Sequence, residues 1–356
     1  MKTSRLFPML AALSAAALSS SCASTTNQVT RYQGEPANAE QILTEGERFR
    51  NLYPSPKKYP LNCEQACYQP DPRLVCQPAG DACQVQWPEL PAVLGWQLQW
   101  VGHASFRLQL PDGQLVLFDP VSADFDWPMN WLGSMVGSRR SAPHQPLLAA
   151  EQPVDAVFYS HAHYDHFNKA DAAQFSARTA LYLPFGMAKY LPEGGFNIHE
   201  MAWYSQHQQQ QLTVHFVPAH HYTGRSLYEL DGDTSLWGGW ILEVAGEKLF
   251  FAGDTGYSPI FQDIRQKYGA MSVCLLPIGS YHGENYRNAH LAPEDALQVA
   301  EELGCKRMIP WGYGNHSWLM GDKSSHSALL RLLTMHQRTG AKVELQVFNE
   351  GEVIKI

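Results

Sequence analysis

Residues 155–167 read Asp-Ala-Val-Phe-Tyr-Ser-His-Ala-His-Tyr-Asp-His-Phe, and no other stretch of the chain restricts the fold as much. The apolar run 156–159 has the length and content of a buried strand. It delivers His161, His163, Asp165 and His166 into the loop that follows. Three imidazoles and a carboxylate within six residues match what zinc or a similar transition metal asks of its ligands. In extended backbone, residues two apart point the same way. His161 and His163 can therefore grip one metal, while Asp165 and His166 lie past the turn and address a second.

The chain has 356 residues, enough for one large domain or two ordinary ones, and its 45% hydrophobic content supports a sizeable core. A net charge of -8 argues against a nucleic-acid partner, which needs a basic face. No internal stretch is long and apolar enough to span a bilayer as a helix. Residues 1–21 read as a bacterial secretory signal: Lys2 and Arg5, an apolar and small-residue run, then Ser19-Ser20-Ser21-Cys22. The pattern resembles a lipoprotein signal, with Cys22 as the lipidated residue and Ala23 matching outer-membrane sorting. Leu18 stands four residues before the cysteine rather than three, which leaves cleavage after Ala23 as the alternative. The expected location is the outer membrane facing the periplasm, or the soluble periplasm.

Residues 22–60 are polar and Pro-rich and read as a tether and irregular lead-in, with a short helix around 39–52. Residues 61–92 carry Cys63, Cys67, Cys76 and Cys83. In an exported chain these favour two disulfides, in any of three pairings, over a structural metal. Pro70, Pro72 and Pro78 oppose regular structure there. Cys274 and Cys305 sit in apolar runs and read as buried, inert thiols, with a bridge between them as the alternative.

The remainder, 93–356, reads as one domain. Strands are expected at 96–101, 105–110, 114–119, 156–159, 179–183, 195–199, 212–217, 237–244, 248–252, 273–278, 307–309 and 342–348. Helices are expected at 169–177, 187–191, 260–268, 293–303 and 325–338. Strands first, then strands alternating with helices, give two facing sheets with helices outside. Residues 121–152 form a long insertion bearing Trp127, Met129, Trp131 and Met135, suited to an apolar substrate groove, to lipid contact or to covering the core.

Three strand ends carry metal-type ligands: the His161–His166 group, His221 and Asp254. Together they resemble the metallo-β-lactamase superfamily, with its αβ/βα sandwich and H-x-H-x-D-H signature. The closer resemblance is to the branch containing N-acyl-phosphatidylethanolamine-hydrolysing phospholipase D. It rests on W-V-G-H-A-S (100–105), S-H-A-H-Y-D-H (160–166), P-A-H-H-Y (218–222), L-W-G-G-W (236–240), F-F-A-G-D-T-G-Y (250–257), P-I-G-S-Y (277–281) and H-L-A-P-E-D-A (290–296). It covers residues 95 to 311.

The resemblance implies two zinc ions. His161, His163 and His221 would hold the first, Asp165 and His166 the second, and Asp254 would bridge them. His221 takes the role over His220 because the family ligand falls three residues after the proline; His220 is then a neighbour. His103 matches a family position near the site and is expected beside the ligands rather than among them, or else packed in the core. His290 is expected to contact the phosphate or leaving group, or else to be a helix N-terminal side chain. One departure stands out: Pro310 occupies the strand-end position, before Trp-Gly, where the family has a further histidine ligand. A water, the substrate or a loop histidine such as His316 would have to complete the second site, or that site is weak and the protein works with one metal.

The implied activity is zinc-dependent hydrolysis of a phosphodiester in the cell envelope, on an N-acylated phospholipid or a related substrate. Asp254, His290 and Asp165 are the candidate catalytic residues. Hydrolysis of another ester, such as a lactone, and a lapsed metal-binding lipoprotein are the alternatives; charge and export disfavour a nuclease.

Overall fold

The computed structural model describes residues 26–34, 48–54, 63, 65–76, 83–121, 126–127, 131, 153–225, 232–282, 288–314 and 326–356. The signal, Cys22, His316, Met129, Met135 and most of the insertion lie outside the described residues.

In chain order the strands are β1 (Gln28–Tyr32), β2 (Leu74–Cys76), β3 (Cys83–Val85), β4 (Gln97–Gly102), β5 (Ser105–Gln109), β6 (Leu115–Phe118) and β7 (Ala156–Phe158). Helix α1 (Lys169–Ala172) precedes β8 (Ala180–Pro184), β9 (Asn197–Met201), β10 (Gln206–Gln209), β11 (Leu212–Pro218), β12 (Gly238–Val244) and β13 (Glu247–Phe251). Then α2 (Ile260–Tyr268), β14 (Val273–Pro277), α3 (Pro293–Leu303), β15 (Arg307–Trp311), α4 (Ser327–Thr339), β16 (Glu344–Leu345) and β17 (Val353–Lys355) complete the chain.

Two mixed sheets result. One runs β1-β9-β8-β7-β6-β5-β4-β17 and the other β10-β11-β12-β13-β14-β15-β16. Alternation along the strands of the first sheet divides its side chains between two cores. Phe118, Phe158 and Tyr182 face the second sheet, where they join Phe251 and Trp240. Leu117, Val157 and Leu181 face outward and are covered by Ala172 of α1 and by Phe167 and Phe175. Helices α2, α3 and α4 pack on one another beside the second sheet. This is the metallo-β-lactamase αβ/βα sandwich. A buried ion pair, Arg331 of α4 with Glu294 of α3, ties two of the helices together (Nε to Oε2 2.8 Å).

Local chemistry explains the helix ends. Pro293 opens α3, where its missing N–H costs nothing, and Gly304 closes it in the left-handed conformation. Asn168 caps α1 through the N–H groups of Ala170 and Asp171. Helix α1 stops at Ala172 rather than running to 177, because Gln174 and Phe175 bond back three residues and tighten the turn. The expected helix at 187–191 is a single 3₁₀ turn over Ala188–Tyr190.

Five expectations are corrected. The lead-in is not merely a tether: β1 adds a parallel edge strand on β9, where backbone pairing replaces a hydrophobic pattern. The expected helix at 39–52 falls mostly outside the described residues, and residues 48–52 are not helical. The Cys-rich segment holds a two-stranded ladder, β2 with β3, which the Cys76–Cys83 disulfide closes. Cys63 pairs with Cys67, and Cys274 is bridged to Cys305 rather than being a free thiol. Packing of α3 against β14 brings these last two, 31 residues apart, to a Cα separation of 6.0 Å. Of the expected terminal strand at 342–348 only β16 pairs, in the second sheet, and β17, which closes the first sheet beside β4, lies beyond every expected strand.

Candidate metal centre

The ligand-type side chains gather at one edge of the sandwich, at the ends of strands from both sheets. The loop after β7 supplies His161, His163, Asp165 and His166; the turn between β4 and β5 supplies His103. The end of β11 leads to His221, the end of β13 to Asp254, and the loop before α3 to His290. The backbone N–H of Gly238 on β12 donates to the Ser160 carbonyl at 3.0 Å, stitching the loop to the opposite sheet. Gly253, just before Asp254, has φ +61, and a Cβ there would lie 2.5 Å from the Ser160 Cβ. Only glycine fits that approach.

Four overlapping groups bring their ligand atoms within 4.8 Å of one another: His161, His163 and His221; His103, Asp165 and His166; His161, His166 and Asp254; and His221, Asp254 and His290. In the first, His161 Nε2 and His163 Nδ1 are 2.8 Å apart, and His221 Nε2 is 3.3 Å from His163 Nδ1. A tetrahedral zinc with bonds of about 2.1 Å spaces its ligand atoms about 3.4 Å apart, so these nitrogens are near the spacing one ion needs. Asp254 Oδ2 lies 3.2 Å from His166 Nε2, 3.9 Å from His221 Nε2 and 3.8 Å from His290 Nδ1, between the two halves of the cluster.

The rings are aimed by hydrogen bonds on their far sides. His221 donates from Nδ1 to the Ala289 carbonyl at 2.9 Å, which leaves the Nε2 lone pair facing the cluster. Ser160 donates its hydroxyl to Asp119 at 2.6 Å and so receives His161 Nδ1–H at 2.9 Å. Asp119 also accepts the Ser160 N–H at 2.7 Å and holds His166 Nδ1 at 2.7 Å. His166 Nε2 is then left buried with no hydrogen bond, even though the Asp254 carboxylate is close. A buried nitrogen in that condition is costly unless something outside the protein completes it.

Electrostatics agree with a cation site. Burial holds His161 and His221 well below the usual histidine range and lowers His163 to about 4. These rings are therefore neutral at pH 7, the form that binds a metal. Burial works against charge on His166, but Asp254, Asp165 and Asp119 outweigh it and raise that group. Burial likewise opposes ionisation of Asp165 and Asp254, yet the neighbouring imidazoles hold both carboxyls well below their usual values. The chemistry of the donors suits zinc or another transition metal.

The structure thus brings His161, His163, Asp165, His166, His221 and Asp254 together, with His290 beside them. His220 belongs to none of the groups; its backbone pairs with Gly256 and Thr255 instead. His103 stands beside the cluster, with Nε2 3.1 Å from Asp165 Oδ2. Pro310 offers no ligand, and its neighbour Trp311 turns its ring toward the site, 6.3 Å from His103 and 6.4 Å from His166 between ring centres. Alternation along β15 puts Pro310 on the other face.

Two supporting residues escaped the sequence reading. In the sequence Asp119 is simply the last residue of the expected strand 114–119, followed by Pro120. Asn51 lies in the supposed tether, yet it bonds both the N–H (3.0 Å) and the carbonyl (2.9 Å) of His221 and accepts the Trp237 indole N–H at 3.1 Å. Nothing local in the sequence around Asn51 announces this role.

Residues 114–313 match the family profile described as the beta-lactamase superfamily domain, and the chain belongs to that family. Among its relatives is an uncharacterized protein of Mycobacterium tuberculosis, 33% identical over 234 residues; the match covers 62% of this chain and 60% of that protein. The chain thus spans less than two thirds of the length of such relatives. The N-acyl-phosphatidylethanolamine-hydrolyzing phospholipase D 1 of Caenorhabditis elegans is 27% identical over 233 residues, covering 61% of this chain and 63% of that enzyme. In overall fold the chain is similar to Igni18, a metallo hydrolase from the archaeon Ignicoccus hospitalis. The TM-score is 0.54 at 20% identity, covering 73% of this chain and 97% of the other.

Proposed function

We propose that the protein is a two-metal phosphodiesterase of the cell envelope, acting on an N-acylated phospholipid or a related phosphodiester. The observation that carries this reading is the position of Asp254, whose carboxylate stands between an all-histidine group and a group containing His166. A carboxylate between two ligand sets suits a pair of metals, and a metal pair can stabilise both the attacking and the leaving oxygen of an in-line displacement at phosphorus. Likeness to the nematode phospholipase D supports the substrate class.

In the proposed assignment His161, His163 and His221 would hold one metal, probed as zinc, and Asp165 and His166 would hold the other, with Asp254 available to both. Bound metals supply Lewis acidity and lower the pKa of water. The rest is the chain's own work. Asp119 and Ser160 keep the rings of His166 and His161 aimed at the cluster. Burial lowers the His290 pKa, so its neutral ring offers an N–H to a phosphoryl or leaving-group oxygen beside Asp254. Asp126 is paired with Arg225, whose guanidinium donates to the carbonyls of Ala162 and Phe167 in the metal loop, at 2.9 Å each. That ties the segment bearing the exposed Trp127, 73% accessible, to the metal loop, and Trp131 is also exposed. Both indoles suit contact with lipid. Three disulfides support an oxidising compartment, consistent with export and with lipidation at Cys22.

The test is turnover of N-acyl-phosphatidylethanolamine in mixed micelles by zinc-loaded protein, beside a lactone and a simple acyl ester. Phosphodiester cleavage that falls at least about 10³-fold in both His163→Ala and Asp254→Asn is expected. Ester cleavage without phosphodiester cleavage would instead select the lactone-type reading. Stoichiometric metal with no turnover of any of the three would select the lapsed lipoprotein.

A further inference from the structure

We propose that His103 is itself a metal ligand, completing the second position together with Asp165, His166 and the shared Asp254. This rests on the two-metal reading above and assigns the residue that makes the second position whole.

The geometry is that of a coordination set. His103 Nε2, Asp165 Oδ2 and His166 Nε2 form a group whose atoms all lie within 4.8 Å of one another. His103 Nε2 to Asp165 Oδ2 is 3.1 Å, Asp165 Oδ2 to His166 Nε2 is 3.8 Å, and His166 Nε2 to Asp254 Oδ2 is 3.2 Å. These bracket the roughly 3.4 Å edge of a tetrahedron around zinc. The unsatisfied Nε2 of His166 opens into this group, so something beyond the protein belongs there.

The backbone makes the same point independently. His103 sits at φ +50, in the left-handed region that a residue with a Cβ seldom adopts. It occupies the two-residue turn between β4 and β5, where glycine or asparagine would be the relaxed choice. The turn is held by the Trp100 indole, which donates to the His103 carbonyl at 2.8 Å. Strain kept in place by surrounding structure marks a residue retained for its side chain. The neighbouring strand end offers no substitute: β15 reads Arg-Met-Ile-Pro-Trp, without an imidazole, thiolate or carboxylate. Among the described residues, no other His, Cys, Asp or Glu joins Asp165 and His166 in a group of this kind.

The competing role for His103 is to position Asp165 by hydrogen bonding without touching the metal. Glutamine separates the two, since its amide still donates to Asp165 but offers no imidazole. Metal-free full-length protein, wild type and the His103→Ala and His103→Gln variants, would be titrated with cobalt(II). The readouts are the visible d–d absorption and the heat of binding. Two cobalt ions on the wild type are expected, with second-site affinity at least 100-fold weaker in both variants, an altered absorption envelope for that ion, and an unchanged first site. Near-wild-type second-site affinity and spectrum in His103→Gln would overturn ligation in favour of positioning. Two unchanged sites in His103→Ala would overturn both roles while leaving the two-metal reading intact. A single cobalt on the wild type would overturn the two-metal reading and this inference with it.

Discussion

Asp119 shows how one side chain can organise a site it never enters. Fully buried, it accepts from Ser160 twice and holds His166 Nδ1, so one carboxylate fixes two of the candidate ligands. Burial raises its pKa, and the contacts with His166 and Ser160 pull the other way. Partners of this kind typically change metal affinity 10–100-fold when removed. For Asp119→Asn, weaker binding by about that factor is expected at the position containing His166, with a smaller loss at the all-histidine position, read by zinc titration. Equal affinities at both positions would show that His166 is oriented by other means. Asn51 does comparable work on the backbone of His221 from a segment 170 residues away.

At the scale of elements, the site depends on strand ends being held in register while their loops stay rigid. The second sheet is parallel from β13 through β16, and α3 crosses from β14 to β15. The Cys274–Cys305 bridge ties β14 to the end of that crossover. Closing a loop of this size stabilises a fold by about 2–4 kcal/mol, mainly through the unfolded state. Replacing both cysteines with alanine should lower the unfolding free energy in urea by that amount. An unchanged midpoint would mean that the bridge adds nothing to packing of α3 on β14. Because the change lies outside the metal cluster, zinc stoichiometry should not move.

At the scale of the whole molecule, the sandwich buries titratable groups away from the site as well. His199 on β9 lies in a stack with Tyr32, Tyr182 and His207, and receives the Tyr32 hydroxyl on Nδ1 at 2.9 Å. Burial, followed by the neighbouring His207, lowers its pKa to about 4. The unfolded chain titrates this group near 6.5. Between the two values the unfolded state binds more protons, so stability rises with pH there and is lost as pH falls from about 6.5 toward 4. The melting temperature should therefore drop between pH 7.5 and 5, and His199→Gln should make that drop smaller. An identical pH dependence in the variant would place the proton uptake elsewhere. The same stack joins β1 to β9 and β8, so this edge of the first sheet is the part expected to loosen first in acid.

The amino-acid sequence by itself determined the ligand-bearing loops and nearly every strand of the two sheets. Those signals are local: apolar runs of strand length, followed by His161-Ala-His163-Tyr-Asp165-His166, by His221 and by Asp254. Strand β10 escaped because Gln206–Gln209 is polar and half exposed, and β1 because an exposed edge strand needs no apolar face. Tertiary structure alone decided which distant groups serve the cluster. Asp119 reaches it because β6 lies beside β7 in the first sheet, and Asn51 and the Ala289 carbonyl because the strand ends of both sheets meet at one edge. The Cys274–Cys305 pairing and the approach of His103 to Asp165 have the same origin. They are distances across the fold, set by helix and sheet packing, and no spacing along the chain encodes them.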